Sequence, residues 1–225
     1  MRASSRARGF GTMSGEPDIR LVAFAGSTRE QSFNKALIRV AAIAAEEAGA
    51  EVSLIDLRDH PLPIYDGDLE AREGLPRPCL ELRELVKSSA GLLIATPEYN
   101  GFFPPVLKNA LDWISRPHGE DGLCACYAGK VVGLLGASPG RLGALRAVTV
   151  LRQQMAHLGC IVLPDVVTLP AAHEIVSDPA GITDERTLRR VRRLSRATVE
   201  LARRVARDRP PDSGSAEGRE GAGRP

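Results

Sequence analysis

The feature that most narrows the possible folds is a series of short apolar runs, each followed by a segment with helical periodicity. Residues 91–96 (GLLIAT) are apolar up to the closing threonine. Residues 130–137 (KVVGLLGA) are apolar after one lysine, and residues 19–25 are broken only by Arg20. A strand that is apolar throughout must be covered on both faces, the condition met in the parallel sheet of an α/β protein. Residues 35–48 read as the first helix, with Ala36, Leu37, Val40, Ala41 and Ala44 on one face and Gly49 at the exit. Residues 51–57 alternate as a second strand, and the Pro-rich stretch 61–78 reads as a long connection before a short helix over 80–88. Helices follow over 105–115, 144–158 and 184–207, and 160–163 opens a fifth strand. The expectation is a doubly wound, five-stranded parallel sheet of order 2-1-3-4-5 in a three-layer α/β/α architecture. In that order a ligand lies beyond the carboxyl ends of strands 1, 3 and 4, beside the switch point.

The 225 residues suit one domain, placed at 19–207. The stretches 1–18 and 208–225 are rich in small, polar and charged residues and are expected to be disordered extensions. The first fifteen residues contain no acid, which admits a transit peptide; a disordered extension, with initiation at Met13, is the preferred reading. A net charge of +2 gives no reason to expect a nucleic-acid or membrane partner, and no apolar run nears the ~20 residues of a membrane span. Cys79, Cys124, Cys126 and Cys160 are too scattered for a disulfide framework, and a cytoplasmic, reduced protein is expected. Cys124-x-Cys126 with His118 nearby lacks the second ligand pair of a structural zinc, so no metal site is expected.

The loops after strands 1, 3 and 4 carry the candidate chemistry. The first, residues 26–34, gathers the hydroxyls of Ser27, Thr28 and Ser32, the amide of Asn34 and the guanidinium of Arg29 around a helix start. Unpaired N–H groups and the positive dipole end suit an anion there. Capping by Ser32 alone would need only one of these residues. Without G-x-G-x-x-G or G-K-[ST], the loop suits a terminal monophosphate rather than a pyrophosphate. In the second loop, Pro97, Glu98, Tyr99, Asn100 and Gly101, the glycine permits close approach of a planar ring and Tyr99 offers a flat face. Asn-Gly by itself reads as a turn. The third loop, residues 138–143, includes Ser138, Gly140 and Gly143 and approaches another helix start.

These stretches resemble the NADPH-dependent FMN reductase family, flavodoxin-like enzymes that include quinone, azo-dye and chromate reductases. The resemblance rests on GSTREQSFN (26–34), PEYNG (97–101) and LKNALDWISRP (107–117), more loosely on GASPGRLGA (136–144), and spans about residues 19–205 in element order. It implies an FMN whose phosphate is held by Ser27, Arg29, Ser32 and Asn34, with Thr28 beside them, and whose ribityl chain and ring are lined by Pro97 to Gly101. Ser138 and Gly140 would bring backbone N–H groups to the ring, favouring the charge of its reduced form. Pro139 and Ala144 depart from the small or polar residues more usual there. NADPH or NADH would give hydride to flavin N5 in a ping-pong cycle that ends on a quinone, azo compound, free flavin or metal oxyanion. No side chain is expected to act as a catalytic residue, because the flavin carries the chemistry. The resemblance also implies a homodimer or homotetramer, with Trp113 and Arg116 as contributors to an intersubunit site, whereas Lys108 and Asp112 read as an i,i+4 surface pair.

Three other readings compete. Gly136-x-Ser138-x-Gly140, followed by Asp165 and His173, follows serine-hydrolase order, but the residue after the nucleophile must donate its N–H to the oxyanion and Pro139 has none. A non-enzymatic electron carrier or flavin-binding regulator is the alternative of a different class; a carrier often presents an acidic surface, and this chain is slightly basic. The arginines of 184–207 could suggest nucleic acid, but the seam Leu188, Val191, Leu194, Leu201 and Val205 makes them the solvated face of a helix.

Overall fold

A computed structural model describes residues 19–176 and 181–208. The expected extensions at 1–18 and 209–225 lie outside the described residues, and Asp208 closes the last helix rather than beginning a tail. Five strands, β1 (Ile19–Ala25), β2 (Ala50–Ile55), β3 (Gly91–Thr96), β4 (Val131–Ala137) and β5 (Ile161–Leu169), form one parallel sheet in the order β2-β1-β3-β4-β5. Seven helices complete the described chain: α1 (Phe33–Glu47), α2 (Gly67–Glu73), α3 (Arg77–Ser88), α4 (Pro105–Ser115), α5 (Leu145–His157), α6 (Ala172–Ile175) and α7 (Glu185–Asp208).

Period-2 alternation sorts each apolar run between two cores. Leu21, Ala23 and Ala25 of β1, with Leu93, Ala95, Leu135 and Ala137, meet α1 and α7. Val22 and Phe24, with Leu92, Ile94, Val132 and Leu134, meet α3, α4 and α5. The central strands β3 and β4 are buried along their whole length, which is why no polar alternation marks them in the sequence. α7 buries Val191, Leu194, Val199 and Ala202 and leaves its arginines at the surface, where Arg193 reaches Asp165 at 3.0 Å and Arg196 reaches Glu200 at 2.8 Å. No described helix is long and apolar enough to cross a membrane.

The connection 61–78 is more ordered than expected. Asp66 caps α2 within it, its carboxylate accepting from the N–H of Asp68 at 2.9 Å. Side chains of α4 hold the rest: Asn109 accepts from the Tyr65 N–H at 2.8 Å and donates to the Pro63 carbonyl at 2.8 Å, as does Trp113 Nε1 at 2.8 Å. Arg116 donates to both oxygens of Glu70, at 3.0 and 2.7 Å, and lies over the Tyr65 ring. The local sequence, dense in proline, hides these long-range partners. They also correct the expectation for Trp113, whose indole is fully buried within the chain, while the guanidinium of Arg116 is paired with Glu70 and remains 31% exposed. Lys108 and Asp112 form the expected i,i+4 pair at 2.7 Å.

The fifth strand runs further than its opening residues suggested. Its pairing with β4 shifts register between Val132 and Leu134, where Pro164 has no N–H to give to a ladder. Arg152 of α5 donates to the carbonyls of Leu163 and Pro164 at 2.6 and 2.8 Å, satisfying groups the bulge leaves open.

Candidate functional site

All three loops leave the sheet at one rim. Ala25 pairs with Ala95, and Thr96 with Gly136, so β1, β3 and β4 end together, and the Gly26 N–H donates to the Ala95 carbonyl at 2.8 Å. Close packing beneath the rim explains two of its glycines. A Cβ on Gly26 would lie 2.8 Å from Leu107 Cδ2, and one on Gly136 would lie 2.7 Å from Val148 Cγ2.

In the first loop Ser32 occupies the N-cap position of α1 with extended backbone (φ −87°, ψ 127°), yet its side chain makes no capping bond. No acid stands in the first helical turn. Ser27 and Ser32 are buried, whereas Thr28 and Arg29 are exposed. The end of α1 therefore presents uncapped N–H groups, hydroxyls and a guanidinium with no acid in its first turn, Glu30 standing exposed in the loop before it, an arrangement suited to an anion. Arg58, beyond β2, donates to the Thr28 carbonyl at 3.1 and 2.7 Å and holds the loop from outside. Beside it, burial raises the Asp56 carboxyl, but bonds from Lys35 and the Arg58 N–H outweigh that and lower it below the ordinary value.

Asn34 is placed differently from the other donors. Its amide bonds the backbone of Ala137 twice, Nδ2 donating to the carbonyl at 2.9 Å and Oδ1 accepting the N–H at 2.8 Å. It fastens the start of α1 to the end of β4.

In the second loop the Tyr99 and Phe102 backbones bond each other at 2.9 and 3.1 Å around Asn100 (φ 53°) and Gly101 (φ 84°). Two successive positive φ angles are the demand of a type I′ turn, and Asn-Gly meets it. Tyr99 is 48% exposed and the turn stands clear of the sheet. The Glu98 side chain points elsewhere, to the N-terminus of α5, where it accepts from the N–H groups of Arg146 at 3.1 Å and Ala147 at 3.3 Å. Two N–H groups of α5, just beyond the third loop, are thus occupied by a protein carboxylate. Ser138 is half-buried, its N–H donating to the Leu169 carbonyl at 3.2 Å, and Gly140 is exposed. Gly143, at φ 57°, would bring a Cβ within 2.5 Å of the Pro170 nitrogen, so the loop passes tightly against the end of β5.

The structure thus brings Ser27, Thr28, Arg29, Ser32, Asn34, residues 97–101, Ser138 and Gly140 to one rim. Among them it separates an open helix end at α1 from a closed one at α5. Sequence reasoning missed Arg58 and Arg146, whose roles depend on partners 30 and 48 residues away.

Such a sheet, with its loops converging at the switch point, defines a flavodoxin-like α/β protein. The NADPH-dependent FMN reductase family profile matches residues 19–174. An NAD(P)H-dependent FMN reductase of Pseudomonas aeruginosa is 38% identical over 141 residues, covering 63% of this chain and 71% of that protein. A quinone reductase of Escherichia coli K12 is 35% identical over 148 residues, 64% of this chain and 73% of the relative. Among solved structures, the flavoenzyme NAD(P)H:(acceptor) oxidoreductase FerB from Paracoccus denitrificans superposes with a TM-score of 0.68 at 30% identity, over 83% of this chain and 98% of FerB. The chain belongs to the NADPH-dependent FMN reductase family. It is an oxidoreductase with FMN as cofactor and NAD(P)H as electron donor.

Proposed function

We propose that FMN is held at this rim, its phosphate at α1 and its ring against the 99–102 turn, and that the enzyme reduces a quinone or a related acceptor such as an azo compound, free flavin or metal oxyanion. The observation that carries the reading is the open N-terminus of α1: uncapped, without an acid in its first turn, and bordered by the hydroxyls of Ser27, Thr28 and Ser32. That donor set fits a terminal phosphate, whose charge Arg29 balances. Bound FMN supplies two-electron chemistry, taking electrons from NAD(P)H and delivering them to the acceptor. The chain's own residues bind and orient. Asn34 sets the start of α1 against β4, the Asn100–Gly101 turn offers backbone rather than side-chain bulk, and Tyr99 gives a flat apolar face.

The relatives named quinone reductase support a quinone as first acceptor. The exposed Ile64, Tyr99, Phe102 and Leu142, on segments leaving the same rim, support a homodimer or homotetramer that covers apolar surface near the site. A cytoplasmic location accords with four unpaired cysteines, three of them buried.

The test is purification, measurement of flavin absorbance, and anaerobic addition of NADPH. Bleaching of the flavin band, with turnover on adding a quinone, is expected. A colourless protein that ignores added FMN overturns the proposal. Arg29→Ala is expected to weaken FMN retention far more than Arg189→Ala on the remote face of α7, and equal effects would remove the phosphate assignment.

A further inference from the structure

We infer that Glu98 is a positioning residue: its carboxylate acts as the N-cap of α5 from a neighbouring loop and thereby locks the 97–101 loop to the start of α5. An N-cap is ordinarily supplied by the residue at the helix entrance, whose side-chain oxygen accepts from the second or third helical N–H. α5 has no such residue. Its entrance is Ala144, in left-handed backbone (φ 67°) and without a polar side chain. Its second and third helical residues are Arg146 and Ala147, and those are the N–H groups that Glu98 takes. The Glu98 side chain is only 7% exposed, and its charge complements the positive end of the helix dipole.

Arg146 completes the tie. Its Nε donates to the second carboxylate oxygen of Glu98 at 2.6 Å, and the same Nε lies 4.0 Å from where a Cβ on Gly101 would stand. The carboxylate thus joins the start of α5 to the segment that leads into the exposed turn, with the guanidinium paired to it alongside. The turn holds its place over the rim before any ligand arrives, and a preorganised site loses less conformational freedom on binding. This inference rests on the proposal that FMN occupies the rim.

In the flavin-free protein, the amide hydrogens of Arg146 and Ala147 are expected to be protected from exchange in wild type and in Glu98→Gln, whose amide oxygen still accepts. They are expected to exchange freely in Glu98→Ala. FMN titration followed by flavin fluorescence, well below the melting temperature, should show affinity falling about tenfold or more in Glu98→Ala and largely restored in Glu98→Gln. Arg146→Ala, which keeps both N–H bonds to Glu98, should have the smaller effect. If Glu98→Ala fails to fold, Glu98→Asp, one methylene short of α5, carries the same comparison. Unprotected amides in wild type would overturn the cap. A folded variant with exchanging amides but unchanged FMN affinity would overturn the coupling of the loop to α5. The Arg29→Ala titration separately reports whether FMN binds at α1, so the two failures are distinguishable.

Discussion

Asn34 ties two of the rim's elements together through a single side chain. Buried among the first residues of α1, it bonds both the N–H and the carbonyl of Ala137, the last residue of β4. A buried backbone donor or acceptor left without a partner costs roughly 1–3 kcal/mol. Asn34→Ala is therefore expected to lower unfolding free energy by about 2 kcal/mol or more, measured by urea denaturation of the flavin-free protein. Asn34→Asp should not rescue it, because a carboxylate still accepts the Ala137 N–H but cannot donate to the carbonyl. An Asn34→Ala protein as stable as wild type would show the bridge to be dispensable. From the sequence, Asn34 read as one donor in a phosphate cluster; in the fold its amide is taken by the backbone of Ala137, 103 residues away.

At the scale of elements, the segment 61–73 is a strap laid over α4 and held at its far end by Glu70. Burial raises the Glu70 carboxyl, but bonds from Arg116 and Tyr65 outweigh it and hold the group below its ordinary value of 4.5. A carboxyl depressed in the folded state contributes stability that is fully present above the unfolded value. That contribution is lost as pH falls through the lower, folded value. The strap should therefore loosen in acid, from about pH 4.5 downward. Trp113, the chain's single tryptophan, reports on it directly, being bonded to Pro63 and edge-on to Tyr65 at 5.0 Å between centroids. Its emission should change over that acid range in wild type, and Glu70→Gln should show the loosened signal already at neutral pH. Identical profiles for the two proteins would dismiss Glu70 as the clasp.

For the whole molecule, several of the apolar side chains left uncovered lie on segments that leave the rim. Ile64 is 87% exposed, and Tyr99, Phe102 and Leu142 are each close to half exposed, on three separate segments that leave the same end of the sheet. A second copy covering this end would remove that surface from water and narrow solvent access to the ring site. Light scattering is expected to give at least twice the 24.1 kDa chain mass, and Phe102→Glu is expected to shift the protein toward monomer. A wild-type monomer at micromolar concentration would exclude this assembly.

The sequence by itself determined the sheet and the rim at which the candidate loops gather. Apolar runs spaced by helical segments admit little besides a parallel sheet covered on both faces, and strand-end loops fall at the switch point wherever the rest of the chain packs. Asn100-Gly101 likewise announced its turn, because the positive φ angles it adopts are a local property of those residues. Tertiary structure alone decided which loop donors stay free and which are consumed. Glu98 and Asn34 sat in motifs that read as ligand contacts, yet their partners lie on α5 and β4. Asn109, Trp113 and Arg116 turned a proline-rich connection into an ordered strap. The reason is physical: strand and turn preferences arise between near neighbours, whereas the partner of a buried polar group is whatever the packed fold brings within three ångströms of it.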